Sequence, residues 1–292
     1  MRAATTGDSR NSVLGAGLVL FAATFIPWSA ALVQPAFALI GPSASSSWRF
    51  LLGAAMLMLI ARPNLRRFTR HQWVGAFAFG VAVAFMNVSF YEAIARIPLG
   101  SAVVIEFLGP LLVAALGRRT WRHFGFVVVA ALGVVALSHP GGGLTLEGVL
   151  FALLAGAGWA TYLFAAQRVG TTTSGLEGLA VGVTISAVLS LPFTISSARV
   201  VFAHPYILAR LALVALMALV LGFGAELSAL RRLKPSVVGV LVAFDPVVAF
   251  FVGWLLLAQR VSGWDYVGVA CVVFASVGVT RDSSRELLEI VG

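Results

Sequence analysis

Residues 97–119 read IPLGSAVVIEFLGPLLVAALGRR, an apolar run closed by Arg118 and Arg119 and interrupted by one acid, Glu106. The run is long enough for a membrane helix, which needs about 20 mostly apolar residues. A carboxylate at the centre of such a helix costs roughly 2.5–3.5 kcal/mol on insertion scales. Composition decides what surrounds this run. The chain of 292 residues is 60% hydrophobic and 11% charged, whereas a soluble domain carries about 25% charged residues. Too few polar side chains exist to cover a globular surface, so the solvent for most of the chain is lipid.

The formal net charge is +9, but the basic residues fall in short clusters between apolar runs and form no single patch. That is the pattern of topology determinants and not of a nucleic-acid interface. The one cysteine, Cys271, lies inside an apolar run, and His71, His123, His139 and His204 sit at run ends or in loops without ligand spacing. No metal and no cofactor is expected. The first apolar run follows Arg2 and Arg10 and precedes Ala36-Phe37-Ala38, as a signal peptide would, but its apolar core is too long for one and reads as a retained helix.

Ten spans are expected, near 13–34, 45–61, 72–94, 99–116, 122–138, 148–168, 176–198, 207–230, 236–257 and 264–280. Fifteen basic residues fall on one side: Arg2 and Arg10; Arg62, Arg66, Arg67 and Arg70; Arg118, Arg119 and Arg122; Arg168; Arg231, Arg232 and Lys234; Arg281 and Arg285. The other side has four, Arg96, Arg199, Arg210 and Arg260, with Arg49 just inside a helix. The positive-inside bias places both termini in the cytoplasm.

The halves 13–138 and 148–280 resemble each other. Trp121-Arg-His-Phe-Gly125 opens the fifth span and Trp264-Asp-Tyr-Val-Gly268 the tenth. Phe107-Leu-Gly-Pro110 aligns with Phe244-Asp-Pro246 across a one-residue gap, and Pro98 and Pro235 precede those helices. Five helices per half is odd, so equivalent helices run in opposite directions, and the charge bias of the flanking loops inverts accordingly. The expected fold class is therefore all-α integral membrane, ten transmembrane helices in two inverted five-helix repeats, an architecture of secondary transporters with the site near the midplane.

Four acids lie in or near apolar runs: Glu92, Glu106, Glu226 and Asp245. Glu106 and Asp245 fall eight and ten residues into their spans, near mid-membrane at ~1.5 Å per residue. Asp245 precedes Pro246, whose missing amide loosens the helix there. An intramembrane ionisable group is a functional candidate by default; the alternative is a buried structural role, paired with Arg49 or Arg96. Glu92 has Arg96 at i+4 and reads as an ion pair. Glu226 reads either as a site residue or as an interface anchor near Arg231. Asn87 and Tyr91 share a helix face, and with Trp159 and Tyr162 they are candidates to line the same cavity. Arg49 reads either as a cavity residue or as a side chain snorkelling to the interface. The single lysine has no Walker A context, Gly141-Gly-Gly143 is a turn, and Gly178-x-x-x-Gly182 is a helix-packing motif that leaves monomer against homodimer open.

Met86-Asn-Val-Ser-Phe-Tyr91, Ile97-Pro-Leu-Gly100 running on to Glu106-Phe-Leu-Gly-Pro110, Gly158-Trp-Ala-Thr-Tyr162, Glu226-Leu-Ser-Ala-Leu230 and the Asp245-Pro246 step together resemble the EamA branch of the drug/metabolite transporter superfamily, within it the threonine/homoserine exporter subgroup. The resemblance covers nearly the whole chain. It implies ten helices in two inverted repeats and export of amino acids or related metabolites across the cell inner membrane, in exchange for protons. Glu106 and Glu226 match acids of that subgroup, and Asp245 stands where the family usually has Glu before Pro. Ala258-Gln259 replaces a common Gly-Glu, and Gln34 replaces a frequent Lys; both changes remove charge.

The expectation is an exporter of small amino acids of the threonine/homoserine kind, working by alternating access and coupled to protons. Its site would comprise Glu106, Asp245, Glu226, Asn87, Tyr91, Trp159, Tyr162 and Arg49. Its partners would be a small-molecule substrate, the proton and membrane lipid, with no nucleic acid. A broader drug or metabolite exporter of the same superfamily is the alternative. An integral membrane enzyme would instead gather acids and histidines at one membrane surface, which this sequence does not do.

Overall fold

A computed structural model of the chain describes residues 6–116, 121–137, 143–233, 238 and 241–291, and all regular structure among them is helical. For residues 6–12, 114–116, 122–123 and 279–291 only the backbone is described. Arg2, Arg118, Arg119, Lys234, Pro235, His139, Gly141 and Gly142, all used in the topology and loop readings, lie outside the described residues.

The first half runs α1 (Thr6–Ile40), α2 (Pro42–Ala61), α3 (Arg70–Ile94), α4 (Leu99–Glu106), α5 (Leu108–Leu116) and α6 (Trp121–Leu137). The second runs α7 (Leu146–Thr172), α8 (Glu177–Leu189), α9 (Leu191–Ala203), α10 (Pro205–Ala215), a π-helical stretch Leu216–Gly222, α11 (Phe223–Leu230), α12 (Asp245–Leu257) and α13 (Gly263–Val291). Local chemistry sets many of these ends. Thr69 and Gln72 form a capping box at the start of α3, and Thr145 Oγ1 accepts the Gly148 amide at 3.1 Å to start α7, each satisfying amides with no intrahelical acceptor.

Five helical segments are long and apolar enough to cross a membrane: Val13–Ile40, Pro42–Ala61, Arg70–Ile94, Leu146–Thr172 and Pro205–Leu230. The pair α8–α9 is a sixth, bent by 77°. The sequence reading treats 176–198 as one straight span. The bend sits at Ser190, just before Pro192, whose ring cannot pack against an unbroken preceding turn. Four further apolar helices, Leu99–Val113, Phe124–Leu137, Asp245–Leu257 and Gly263–Gly278, are shorter.

Large apolar side chains cover the outside. Trp121 is 90% exposed, and Phe77, Leu132, Val135, Phe164, Phe251, Trp254 and Phe274 are all more than half exposed. An apolar surface of this extent is stable only against hydrocarbon or another protein. Inside, neutral polar groups join the helices. Ser47 Oγ donates to the Ser190 carbonyl at 2.6 Å and bonds Thr194, while Trp48 Nε1 donates to Ser197 Oγ at 3.0 Å, tying α2 to α9.

Small residues let backbones touch. A Cβ on Gly109 would lie 1.9 Å from the Gly156 carbonyl oxygen, and one on Gly156 would lie 2.6 Å from that of Glu106. The α5–α7 crossing therefore admits only glycine. Gly156→Val is expected to lower the melting temperature in detergent by several degrees, since overpacking costs about 1–3 kcal/mol. Ala258 ends α12 in the left-handed region, at φ 51°, where a Cβ costs about 1–2 kcal/mol. Ala258→Gly is expected to raise the melting temperature; a fall would show that the Ala258 methyl makes a contact worth more than the backbone strain.

Candidate functional site

Two prolines place two carboxyls. Pro110 has no amide to offer the carbonyl of Glu106 four residues earlier, and its ring crowds that carbonyl. Within the run Leu99–Val113 the hydrogen-bonded ladder is interrupted at Phe107, which keeps helical φ and ψ, leaving Glu106 as the last residue of α4. Pro246 stands in the same relation to Val242. The chain turns at 243–244, and α12 starts afresh at Asp245 with Pro246 in its first turn, where a missing amide costs nothing. The sequence reading has 236–257 as one loosened helix; the described part is broken at Phe244. The breaks fall at Phe107 and Phe244, the two phenylalanines paired by the sequence alignment. Discontinuous helices of this kind expose polar backbone only where it lines a cavity or is covered by protein.

Both carboxyls face one cavity of about 90 Å³. A single water needs about 10–15 Å³ on this measure, so the space suits a solute of several heavy atoms. Seven of the eight residues singled out from sequence line it: Arg49, Asn87, Glu106, Trp159, Tyr162, Glu226 and Asp245. Glu106 is only 7% exposed. Glu106, Asp245 and Glu226 share this one low-dielectric cavity, where like charges repel, so a cation or proton among the three relieves the repulsion. Among the described residues no three His, Cys, Asp or Glu side chains are grouped to hold a metal ion.

Each acid has its own setting. Tyr162 and Glu226 line the cavity together, and the Tyr162 ring packs against Phe79 and Phe223 at 5.4 and 5.9 Å. Glu226 therefore lines the cavity and does not act as an interface anchor for Arg231. Asp245 Oδ1 is buried without a hydrogen-bond partner. Trp159 meets the Phe107 ring edge-on at 5.3 Å, which packs the break beside Glu106.

Arg49 does not snorkel: it is 3% exposed. Its Nη2 donates to Asn87 Oδ1, and Asn87 is held by donating its own Nδ2 to the Val83 carbonyl at 2.9 Å. The guanidinium lies 4.6 Å over the Tyr91 ring and 5.4 Å over Phe50. Tyr91 is fully buried against Arg49 and does not line the cavity. Among the described residues no ion pair within 4.0 Å joins Arg49 to an acid. The acids paired with arginine lie elsewhere: Arg96 meets Glu92 at 2.5 Å and Glu147 at 3.3 Å. Ser43 also donates to Glu92.

The sequence reading misses one wall entirely. Val19, Ala22, Ala23, Ile26, Pro27 and Ala30 of α1 line the cavity, spaced as one helical stripe. That spacing is present in the sequence, but small apolar residues in a span look the same whether they face lipid or a cavity. Met86, Phe90, Val103, Phe223 and Val242 are missed for the same reason.

Comparisons with known proteins agree on what this architecture is. The model of the EamA-like transporter family matches residues 146–281. The threonine/homoserine exporter RhtA of Salmonella typhimurium (strain LT2) is 32% identical over 272 residues, 92% of each chain. The threonine/homoserine exporter RhtA of Escherichia coli (strain K12) is 30% identical over the same share of each. A solved crystal structure with 16% identity, covering 95% of this chain and 98% of its own, superposes with a TM-score of 0.59 and so shares the fold. With acids gathered at helix breaks inside an apolar bundle and this similarity along nearly its full length, the chain belongs to the EamA-like transporter family.

Proposed function

We propose that this protein exports small amino acids of the threonine/homoserine kind from the cytoplasm by alternating access, with the proton as coupling ion. The observation that carries the proposal is the convergence of Glu106, Asp245 and Glu226 with Arg49 and Asn87 on one cavity at the breaks of two helices. An ionised carboxyl there attracts an ammonium group; a protonated one releases it and crosses the low-dielectric interior without net charge. Binding of proton and substrate to the same acids makes them mutually exclusive, which is what exchange requires. The two RhtA exporters supply the substrate class.

In this reading the shorter apolar helices also cross the membrane, giving ten spans in two inverted repeats, 13–138 and 148–280, in the cell inner membrane. The contacts support it: α2 packs on α8, α4 on α12 and α6 on α13, each pairing a helix with its counterpart in the other half. The bias of basic residues puts both termini in the cytoplasm. A broader metabolite or drug exporter is the second reading, favoured by the apolar character of most of the cavity wall, Phe90 and Phe223 among it.

Purified protein in inverted vesicles with an internal pH dye is expected to move protons when threonine or homoserine is added. Glu106→Gln should reduce that flux at least tenfold while inserting and purifying normally; unchanged flux removes Glu106 from the mechanism. Proton movement only with larger apolar metabolites would select the second reading. For the topology, a C-terminal green fluorescent protein fusion should fluoresce, and alkaline phosphatase fused after Gly143 should be active. The reverse pattern would invert the assigned orientation.

A further inference from the structure

Arg49 is a buried cation whose hydrogen-bonding capacity is largely unspent. A guanidinium has five N–H donors. Nη2 is engaged by Asn87, yet Nε is buried with no partner, although the side chain lines the cavity. Burying an unpaired charge is strongly unfavourable, so such groups are normally paired or have a use. The three acids that would neutralise it come from α4, α11 and α12, and none lies within ion-pairing distance of it. The cavity thus holds a cation on α2 and three acids on α4, α11 and α12, each separated from it by more than 4.0 Å.

We infer that Arg49 is the anchor for the α-carboxylate of the substrate, while the acids take its ammonium. This deepens the export reading above and rests on it. An α-amino acid carries both charges a few ångströms apart and is the chemical class that bridges such a gap. The planar guanidinium favours a carboxylate over other acceptors, because its fork matches two carboxylate oxygens. Its orientation is fixed in advance. Asn87 holds one nitrogen, and the amide of Asn87 is itself fixed by the Val83 carbonyl. The Tyr91 ring supports one face of the fork by a cation–π contact. Asn87 and Tyr91 act as positioning residues, and the cavity selects zwitterions over amines of the same shape.

The test compares threonine with threoninamide, which keeps the ammonium and the hydroxyl but has no carboxylate. Dissociation constants are read from ligand-induced thermal shifts of purified protein, beside counterflow of labelled threonine in proteoliposomes. The wild type is expected to bind threonine at least tenfold more tightly than the amide. Arg49→Gln should bring the two within threefold of each other, and Asn87→Ala should weaken threonine several-fold more than it weakens the amide. If Arg49→Gln does not fold, the wild type and Asn87→Ala decide the matter. Equal binding of the two ligands by the wild type, or a tenfold preference that persists in the variants, overturns the role of Arg49 and leaves export intact. Failure of the wild type to bind or exchange any amino acid overturns both.

Discussion

The carbonyl of Glu106 has no amide within its own helix to accept from, because residue 110 is proline. In a membrane such a group cannot face lipid, where each unsatisfied polar group costs several kcal/mol. The break must therefore be covered by protein, and Gly156 covers it, with no room for even a methyl group between α5 and α7. That close approach brings α7, and with it Trp159 and Tyr162, to the acid. The second break, before Pro246, puts Asp245 on the same cavity from the other half. One local defect, repeated, thus places two of the three acids at one cavity.

The same constraint shows why some features could be read from sequence. Glu106 and Asp245 stand out because an ionisable group in an apolar run is conspicuous and expensive. The prolines beside them mark the breaks, and the paired motifs mark the two halves. Arg49 is harder, because an arginine eight residues into a helix can snorkel or turn inward at similar sequence cost. Only the positions of Asn87 and Tyr91, 38 and 42 residues away in the chain, determine that it turns inward. The α1 stripe is illegible for a different reason. Hydrophobic periodicity reports contrast between two solvents, and a span whose faces meet lipid, protein and a small cavity offers almost none.

Residues 258–259 end α12 and reach back to the start of α4. The backbone at Ala258 keeps the left-handed conformation that suits glycine. Gln259 Oε1 accepts the Leu99 amide at 3.1 Å, capping α4 from α12. An amide oxygen serves that cap without a charge, so the tie between the two broken helices adds no ionisable group to the interior.

The wider arrangement of polar groups follows one division. Many ties between helices are made by neutral side chains: Ser47 to Ser190 and Thr194, Trp48 to Ser197, Ser186 to the Gly80 carbonyl, Gln259 to Leu99. A neutral hydrogen bond holds two helices at a net gain of about 1 kcal/mol and with a far smaller desolvation cost than a charge. Four ionisable side chains, Glu106, Asp245, Glu226 and Arg49, are instead gathered at the cavity, while buried Asp265 accepts the Ser262 amide at the start of α13. A buried charge costs more to desolvate than a neutral group, and these four meet at the one cavity the helix breaks open onto.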